Sequence, residues 1–303
     1  MKNITHATSG YDAARKWFAI VPPTVVAPLL TFIINAPFGR FSPKEDSIFL
    51  VDGIKAWIAM ELVFPLTFCY TFLKSPLSPE PHPPLALSHP PTFLGALLLL
   101  HYLNRALISP LRTPSRSKSH IIVPLSALAF NLTNGSLLGA YFSSPAAQAY
   151  LANAFARPSF WVGLALWAAG LAGNILHDEV LLNIRRTAKA KGKGRASPPP
   201  AGKGQKQSKQ EHYAIPHGYL YRFISYPNYF CEWCEWLGFA IAAAPLPSFV
   251  SGADFLATVA PPWLFFMSEI FLMLPRAWQG HRWYRARFPD YPKERKVVIP
   301  FLF

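Results

Sequence analysis

The chain has 303 residues, 51% hydrophobic, 15% aromatic and 15% charged, with a formal net charge of +14. A charged fraction this far below the roughly 25% of soluble domains excludes an ordinary soluble domain. Apolar runs near the roughly 20 residues that cross a bilayer predict an all-α fold, an integral membrane bundle of about seven transmembrane helices. The basic surplus does not imply nucleic acid, because Lys and Arg gather in particular loops between apolar runs, the distribution that orients membrane proteins.

In chain order the predicted spans are Phe18–Ala36, Phe49–Leu73, Phe93–Leu111, Ile121–Phe142, Phe160–Leu182, Tyr229–Val250 and Phe255–Leu274. Residues 1–15 are polar and read as loose, and Pro22, Pro23 and Pro28 interrupt the first span. In the second span Trp57 and Glu61 lie at i, i+4, so an acid shares a face with an aromatic inside an apolar run. The connection from Lys74 to Pro91 is so rich in proline that it reads as an extended lumenal loop. Its His82 and His89 have no Cys or acid at ligand spacing, so no metal is expected there. The third span ends HYLNRALISPLR, which puts His101, Arg105 and Arg112 on one stripe with Tyr102 and Asn104 beside it. Asn131, Asn134 and Gly135 in the fourth span are compatible with a site or with ordinary helix packing.

The fifth span runs out as GNILHDEVLLNIRR, where Asn174, Asp178, Leu181 and Arg185 fall on one narrow helical face. An amide, an acid and a base there could cradle a polar ligand, or merely pair within the helix. Positions 187–210 have no apolar face and read as a disordered cytosolic loop. In the sixth span Asn228, Glu232, Glu235 and Phe239 recur at i, i+4, i+7 and i+11. A carboxylate at membrane depth costs roughly 2.5–3.5 kcal/mol, so this stripe faces a protein interior or a watered cavity and marks a candidate site. Cys231 and Cys234 match CxxC without a second pair or nearby His, and no glycine-rich phosphate loop follows a strand. The ending PRAWQGHRWYRARFPDYPKERKVVIPFLF alternates Arg with aromatics, which suits a membrane surface or the phosphates and base of a nucleotide. Arg40, Lys44, Arg112, Arg116, Lys118, the run from Arg185 to Lys209 and the run from Arg276 to Lys296 fall on one side of the predicted membrane. Lys74 and Arg157 fall on the other, so the C-terminus is expected to be cytosolic.

Several segments together carry a resemblance: YAIPHG from Tyr213, NYFCEWCEWLG from Asn228, HRWYRARFPDYPKERKVVIPF from His281, AWIAMELVFP around Glu61, LHYLNR around Tyr102 and GNILHDE around Asn174. In this order they resemble the steroid 5α-reductases, NADPH-dependent enone reductases of the endoplasmic reticulum membrane. The resemblance implies a seven-helix bundle that encloses NADPH from the cytosolic side, with a lipophilic small-molecule substrate between the helices and no metal. Carried over position by position, it implies cofactor contacts from Asn174, Asp178, Arg185, Asn228, Arg276 and Tyr284, with Arg105 and Arg116 as additions. Glu61 and Tyr102 would face the substrate carbonyl as catalytic groups, a carboxyl being able to donate only while protonated. Glu232 and Trp57 would line the substrate. The reaction implied is reduction of an enone C=C bond, most simply in a 3-oxo-Δ4-steroid. A polyprenol or very-long-chain enoyl-thioester reductase is the alternative among enzymes, and a seven-span receptor or transporter the alternative outside them.

Overall fold

A computed structural model describes residues 4–43, 45, 47–194 and 213–303. Along them run α1 (Ile4–Val21), α2 (Gly53–Lys74), α3 (Pro90–Tyr102), α4 (Ser109–Arg112), α5 (Ile122–Phe142), α6 (Pro145–Leu151), α7 (Pro158–Gly194), α8 (Pro227–Ala243), α9 (Gly252–Thr258) and α10 (Pro261–Arg287). Two short strands, β1 (Leu50–Val51) and β2 (Ser119–His120), pair antiparallel with Leu50 opposite His120. The result is an all-α membrane bundle. Among the described residues five helices are long and apolar enough to cross a membrane, and α9 with α10, bent by 118° at their break, make a sixth if the pair is one broken span. The predicted span Tyr229–Val250 is realised as α8, whose 17 residues fall short of a full crossing. It ends at Ala243, just before Pro245 and Pro247, where missing backbone donors stop a helix.

Two expectations need correction. The first helix begins at Ile4 rather than at Phe18, because Tyr11, Ala14 and Phe18 pack on the core and Arg15 is buried against Asp12 and the Val259 carbonyl. Past Pro22 the chain continues as two π-helical turns, Pro22–Val26 and Leu29–Ile33, where prolines remove donors from the regular ladder. Second, α7 runs on to Gly194, so positions 187–194 are helical rather than part of a disordered loop. Extending an existing helix through TAKAKGKG needs no new nucleus, which is the expensive step. The rest of the predicted loop, 195–210, lies outside the described residues. The proline-rich stretch from Ser75 to His89 carries neither helix nor strand, as its composition predicts.

The core is aromatic. Phe64, Phe68, Phe142, Trp236, Phe239 and Phe265, from α2, α5, α8 and α10, interlock by stacked and edge contacts with centroids 4.4 to 6.3 Å apart. Asn131 donates to the Met60 carbonyl at 2.8 Å, which places it as a stitch between α5 and α2. Helices α7 and α8 lie so close that a Cβ on Gly170 would meet the Cys231 carbonyl at 2.6 Å and the Glu235 backbone nitrogen. That approach brings Asn174, one turn further along α7, against α8. Gly170→Val is therefore expected to lose both thermal stability and cofactor binding, whereas Gly173→Ala, which meets only the movable Cys231 side chain, should be milder. Thermal unfolding and cofactor titration of the two variants in detergent would check the ordering.

The basic loops meet at one end of the bundle. Arg112 pairs with Glu179 at 2.9 Å, Lys189 donates to the Pro114 carbonyl and Arg276 reaches the Ala36 and Phe38 carbonyls. At the opposite end Ser75 bonds the Ser143 carbonyl and Arg157 stacks on Tyr150.

Candidate active site

Past Tyr102 the backbone passes through a π-helical turn, Leu103–Ile108, before α4. Such a turn carries more residues than an α-turn and rotates the side chains beyond it about the helix axis. The single stripe expected for His101, Arg105 and Arg112 is split accordingly. His101 meets Glu235 at 2.6 Å, Arg105 faces Glu61 and Glu232, and Arg112 turns to Glu179.

Arg105 is the hub. Its Nε lies 3.2 Å from Glu61 Oε1, and its Nη1 donates to Glu232 Oε1 at 2.8 Å. Glu232 Oε2 accepts from Asn174 Nδ2 at 3.1 Å, and the same amide also donates to the Asn228 carbonyl. Asn228 Nδ2 donates to Asp178 Oδ1 at 2.9 Å. A continuous polar chain thus runs from Glu61 on α2, through Arg105, to Glu232 and Asn228 on α8 and Asn174 and Asp178 on α7. Glu61 and Glu232 are 5% and 3% exposed, so their negative charge is compensated by this guanidinium rather than by water. Trp57 donates its Nε1 to the Arg105 carbonyl at 3.1 Å, and Arg116 lies 3.7 Å above its ring. Arg116 and Arg185 are both within electrostatic reach of Asp178.

Tyr102 stacks on Phe64 with centroids 4.0 Å apart and planes 6° from parallel, which fixes its ring. It is 3% exposed, lies within electrostatic reach of Glu61, Glu269 and Arg105, and its hydroxyl makes no hydrogen bond among the described residues. Glu235 shares the predicted stripe with Glu232 but is set apart from the hub, fully buried and bonded to His101 against Trp236. Sequence reading missed Glu269 on α10. It is 9% exposed and interacts electrostatically with Glu232, Arg105 and Glu61. A lone acid in an apolar run was the available signal, the same that singled out Glu61.

A second cluster forms where the Ala36–Phe41 loop meets α10. Arg276 donates to the Ala36 and Phe38 carbonyls at 3.4 and 3.2 Å and lies 3.5 Å over the Phe38 ring. The loop turns at Gly39, whose φ of +59° is costly for other residues. It thereby delivers Arg40 among the rings of Tyr213, Tyr226, Trp283 and Tyr284, 4.4 to 5.8 Å from their centroids. Arg40 Nη2 reaches the Tyr284 hydroxyl at 3.4 Å, and its Nη1 is buried without a hydrogen-bond partner among the described residues. Sequence reading placed Arg40 only among the loop charges; nothing local distinguishes it, because its cage comes from three distant segments. Tyr221, within electrostatic reach of both Asp178 and Arg40, joins the two clusters. Amides, guanidinium groups and aromatic faces converge here, the donor set that fits the phosphates and flat rings of a dinucleotide. Among the described residues no group of three His, Cys, Asp or Glu side chains could hold a metal ion.

Residues 201–303 match the family described as 3-oxo-5-alpha-steroid 4-dehydrogenase. The chain is 30% identical to the rat 3-oxo-5-alpha-steroid 4-dehydrogenase 1, over 89% of this chain and 87% of the rat protein. It is 32% identical to a steroid 5-alpha-reductase of Solanum lycopersicum, with 90% and 91% covered. The chain belongs to the steroid 5α-reductase family. An uncharacterized protein of Schizosaccharomyces pombe is also similar, at 37% identity over 90% of this chain and 93% of its own length. Within this steroid 5α-reductase family the chain is an oxidoreductase, and the polar chain centred on Arg105 joins α8, inside the matched residues 201–303, to α2 and α7.

Proposed function

We propose that the protein reduces the C=C bond of a 3-oxo-Δ4-steroid to the 5α-dihydro ketone, with NADPH and a proton consumed and NADP+ released. The observation that carries this reading is the Tyr102 hydroxyl, on a buried ring within electrostatic reach of Glu61 and Arg105 and without a hydrogen bond among the described residues. When bound, NADPH supplies the hydride. Asn174, Asp178, Arg185, Asn228, Arg276 and Tyr284 would hold it, with Arg40, Arg105 and Arg116 adding positive charge. Tyr102 donates to the substrate carbonyl and stabilises the negative charge that grows on its oxygen as the β-carbon is reduced. Glu61, 3.2 Å from Arg105 Nε, would anchor that guanidinium and set the field around Tyr102. Trp57 and Glu232 bound the substrate side, and the aromatic core excludes water. The gathering of basic loops at one end supports an endoplasmic reticulum membrane protein with that end and the C-terminus cytosolic.

Membranes containing the protein, incubated with NADPH and a panel of steroid enones, enoyl thioesters and polyprenals, should yield the 5α-dihydro steroid. Reduction confined to the thioesters or polyprenals would overturn the substrate assignment. An absence of NADPH binding would favour a receptor or transporter. Asn228→Ala and Asp178→Ala remove one hydrogen bond to a charged group, and each should weaken cofactor binding by about tenfold. Titration of cofactor fluorescence in folded variants checks this; unchanged affinity would place the cofactor elsewhere.

A further inference from the structure

A cleft of about 590 Å³ lies outside both clusters, lined by His217, Tyr219, Arg222, Phe223, Glu294 and Arg295 among others. Arg295 is 4% exposed. Its Nη2 reaches His217 Nδ1 at 3.4 Å and its guanidinium lies 5.2 Å from the Tyr291 ring centroid, while its Nε and Nη1 are buried without hydrogen-bond partners among the described residues. Neither Arg295 nor the exposed Arg222 forms an ion pair among the described residues. Glu294, exposed and also a lining residue, is not paired with either of them. A guanidinium withdrawn from water without a counter-charge is costly, and it leaves the cleft positive.

Beside this cleft lies an apolar tip. Phe301, Leu302 and Tyr219 are 76%, 75% and 62% exposed, and the Phe301 ring contacts Phe223 in the cleft wall at 5.1 Å. The segment leading to the tip is fixed at a helix end. Ser225 and Tyr226 donate their backbone N–H groups to the Lys296 and Val297 carbonyls just ahead of Pro227, the first residue of α8. Val297 and Val298 then pack with Trp233 and Met273 of α8 and α10. Exposed aromatic and aliphatic groups next to a cationic cleft, at the mouth of two membrane helices, match a surface that inserts shallowly into a leaflet while binding its headgroups.

We propose that this cleft binds the phosphate of an anionic membrane lipid, with Arg222 and Arg295 as its counter-charges and the Phe301–Leu302 tip lying among the acyl chains. A soluble phosphate would satisfy the guanidinium groups but leave the tip in water. The test uses the full chain in nanodiscs of phosphatidylcholine containing a minor fraction of phosphatidic acid. Retained phosphatidic acid is counted by native mass spectrometry after release into detergent. Wild type should retain it. Arg295→Gln and Arg222→Gln should each lower retention by about tenfold, the equivalent of one charge-assisted hydrogen bond, with cofactor affinity unchanged. Phe301→Ser with Leu302→Ser should lower retention without touching the cleft charges. If Arg295→Gln does not fold, Arg222→Gln at its exposed position decides alone. Equal retention by the folded cleft variants would overturn the proposal. Displacement of the lipid from wild type by inorganic phosphate or adenosine 2′,5′-bisphosphate would also overturn it, by assigning the cleft to a soluble phosphate or to the cofactor.

Discussion

Tyr102→Phe is expected to lower turnover by about a hundredfold to a thousandfold, the usual loss when one donor to a developing oxyanion is removed. Cofactor affinity should stay unchanged. The substitution is conservative in every other respect: the ring remains stacked on Phe64, and no hydrogen bond within the described residues is broken because the hydroxyl makes none. A structural role for Tyr102 would therefore predict almost no effect, which makes this variant discriminating. Single-turnover reduction at saturating steroid and NADPH measures the step directly. Near-normal rates would remove Tyr102 from the chemistry. Glu61→Gln tests the neighbouring role. Its amide oxygen can still accept from Arg105, so it should retain more activity than Glu61→Ala; activity in both equal to wild type would show that the ion pair has no part in setting up Tyr102.

Arg105→Met is expected to destabilise the folded protein by about 3–5 kcal/mol, because removing one partner of a buried ion pair strands the other. Here two acids are stranded at once, Glu61 on α2 and Glu232 on α8, both almost fully buried. The same loss would release one end of the chain that leads from Glu232 through Asn174 and Asn228 to Asp178, so cofactor binding should fall as well. Thermal unfolding in detergent measures the first effect. Adding Glu61→Gln and Glu232→Gln to the Arg105→Met background should recover part of the lost stability by removing the uncompensated charges. If Arg105→Met melts with the wild type, the acids are balanced by something other than this guanidinium.

Much of the architecture was legible in the sequence, because crossing a bilayer imposes a length and a polarity on each segment that no tertiary contact can waive. The apolar runs predicted the bundle, the prolines between Lys74 and Pro91 predicted a stretch without helix, and acids inside apolar runs pointed to Glu61 and Glu232. Asn174, Asp178 and Asn228, which stood out as amides and acids on buried helix faces, meet in one hydrogen-bonded group. The boundaries were less accessible. Polar residues 4–15 form a helix because Tyr11 and Phe18 find a core to pack against, and that core is assembled from distant helices.

What composition and periodicity determined by themselves was that most of the apolar runs form helices long enough to cross a membrane, and which polar groups go with them, since both are set by transfer from water to an apolar phase. Which acid meets which base was decided only in three dimensions. Glu232 and Glu235 lie on one predicted stripe, yet one joins Arg105 and the other His101, because a π-helical turn after Tyr102 rotates Arg105 away from the line of an ideal helix. Arg40 was equally hidden: a loop arginine by sequence, it becomes the centre of an aromatic cage because Gly39 turns the chain toward Tyr213, Tyr226 and Tyr284. Pairing depends on directions and distances between helices that are far apart along the chain, and a local pattern carries no information about either.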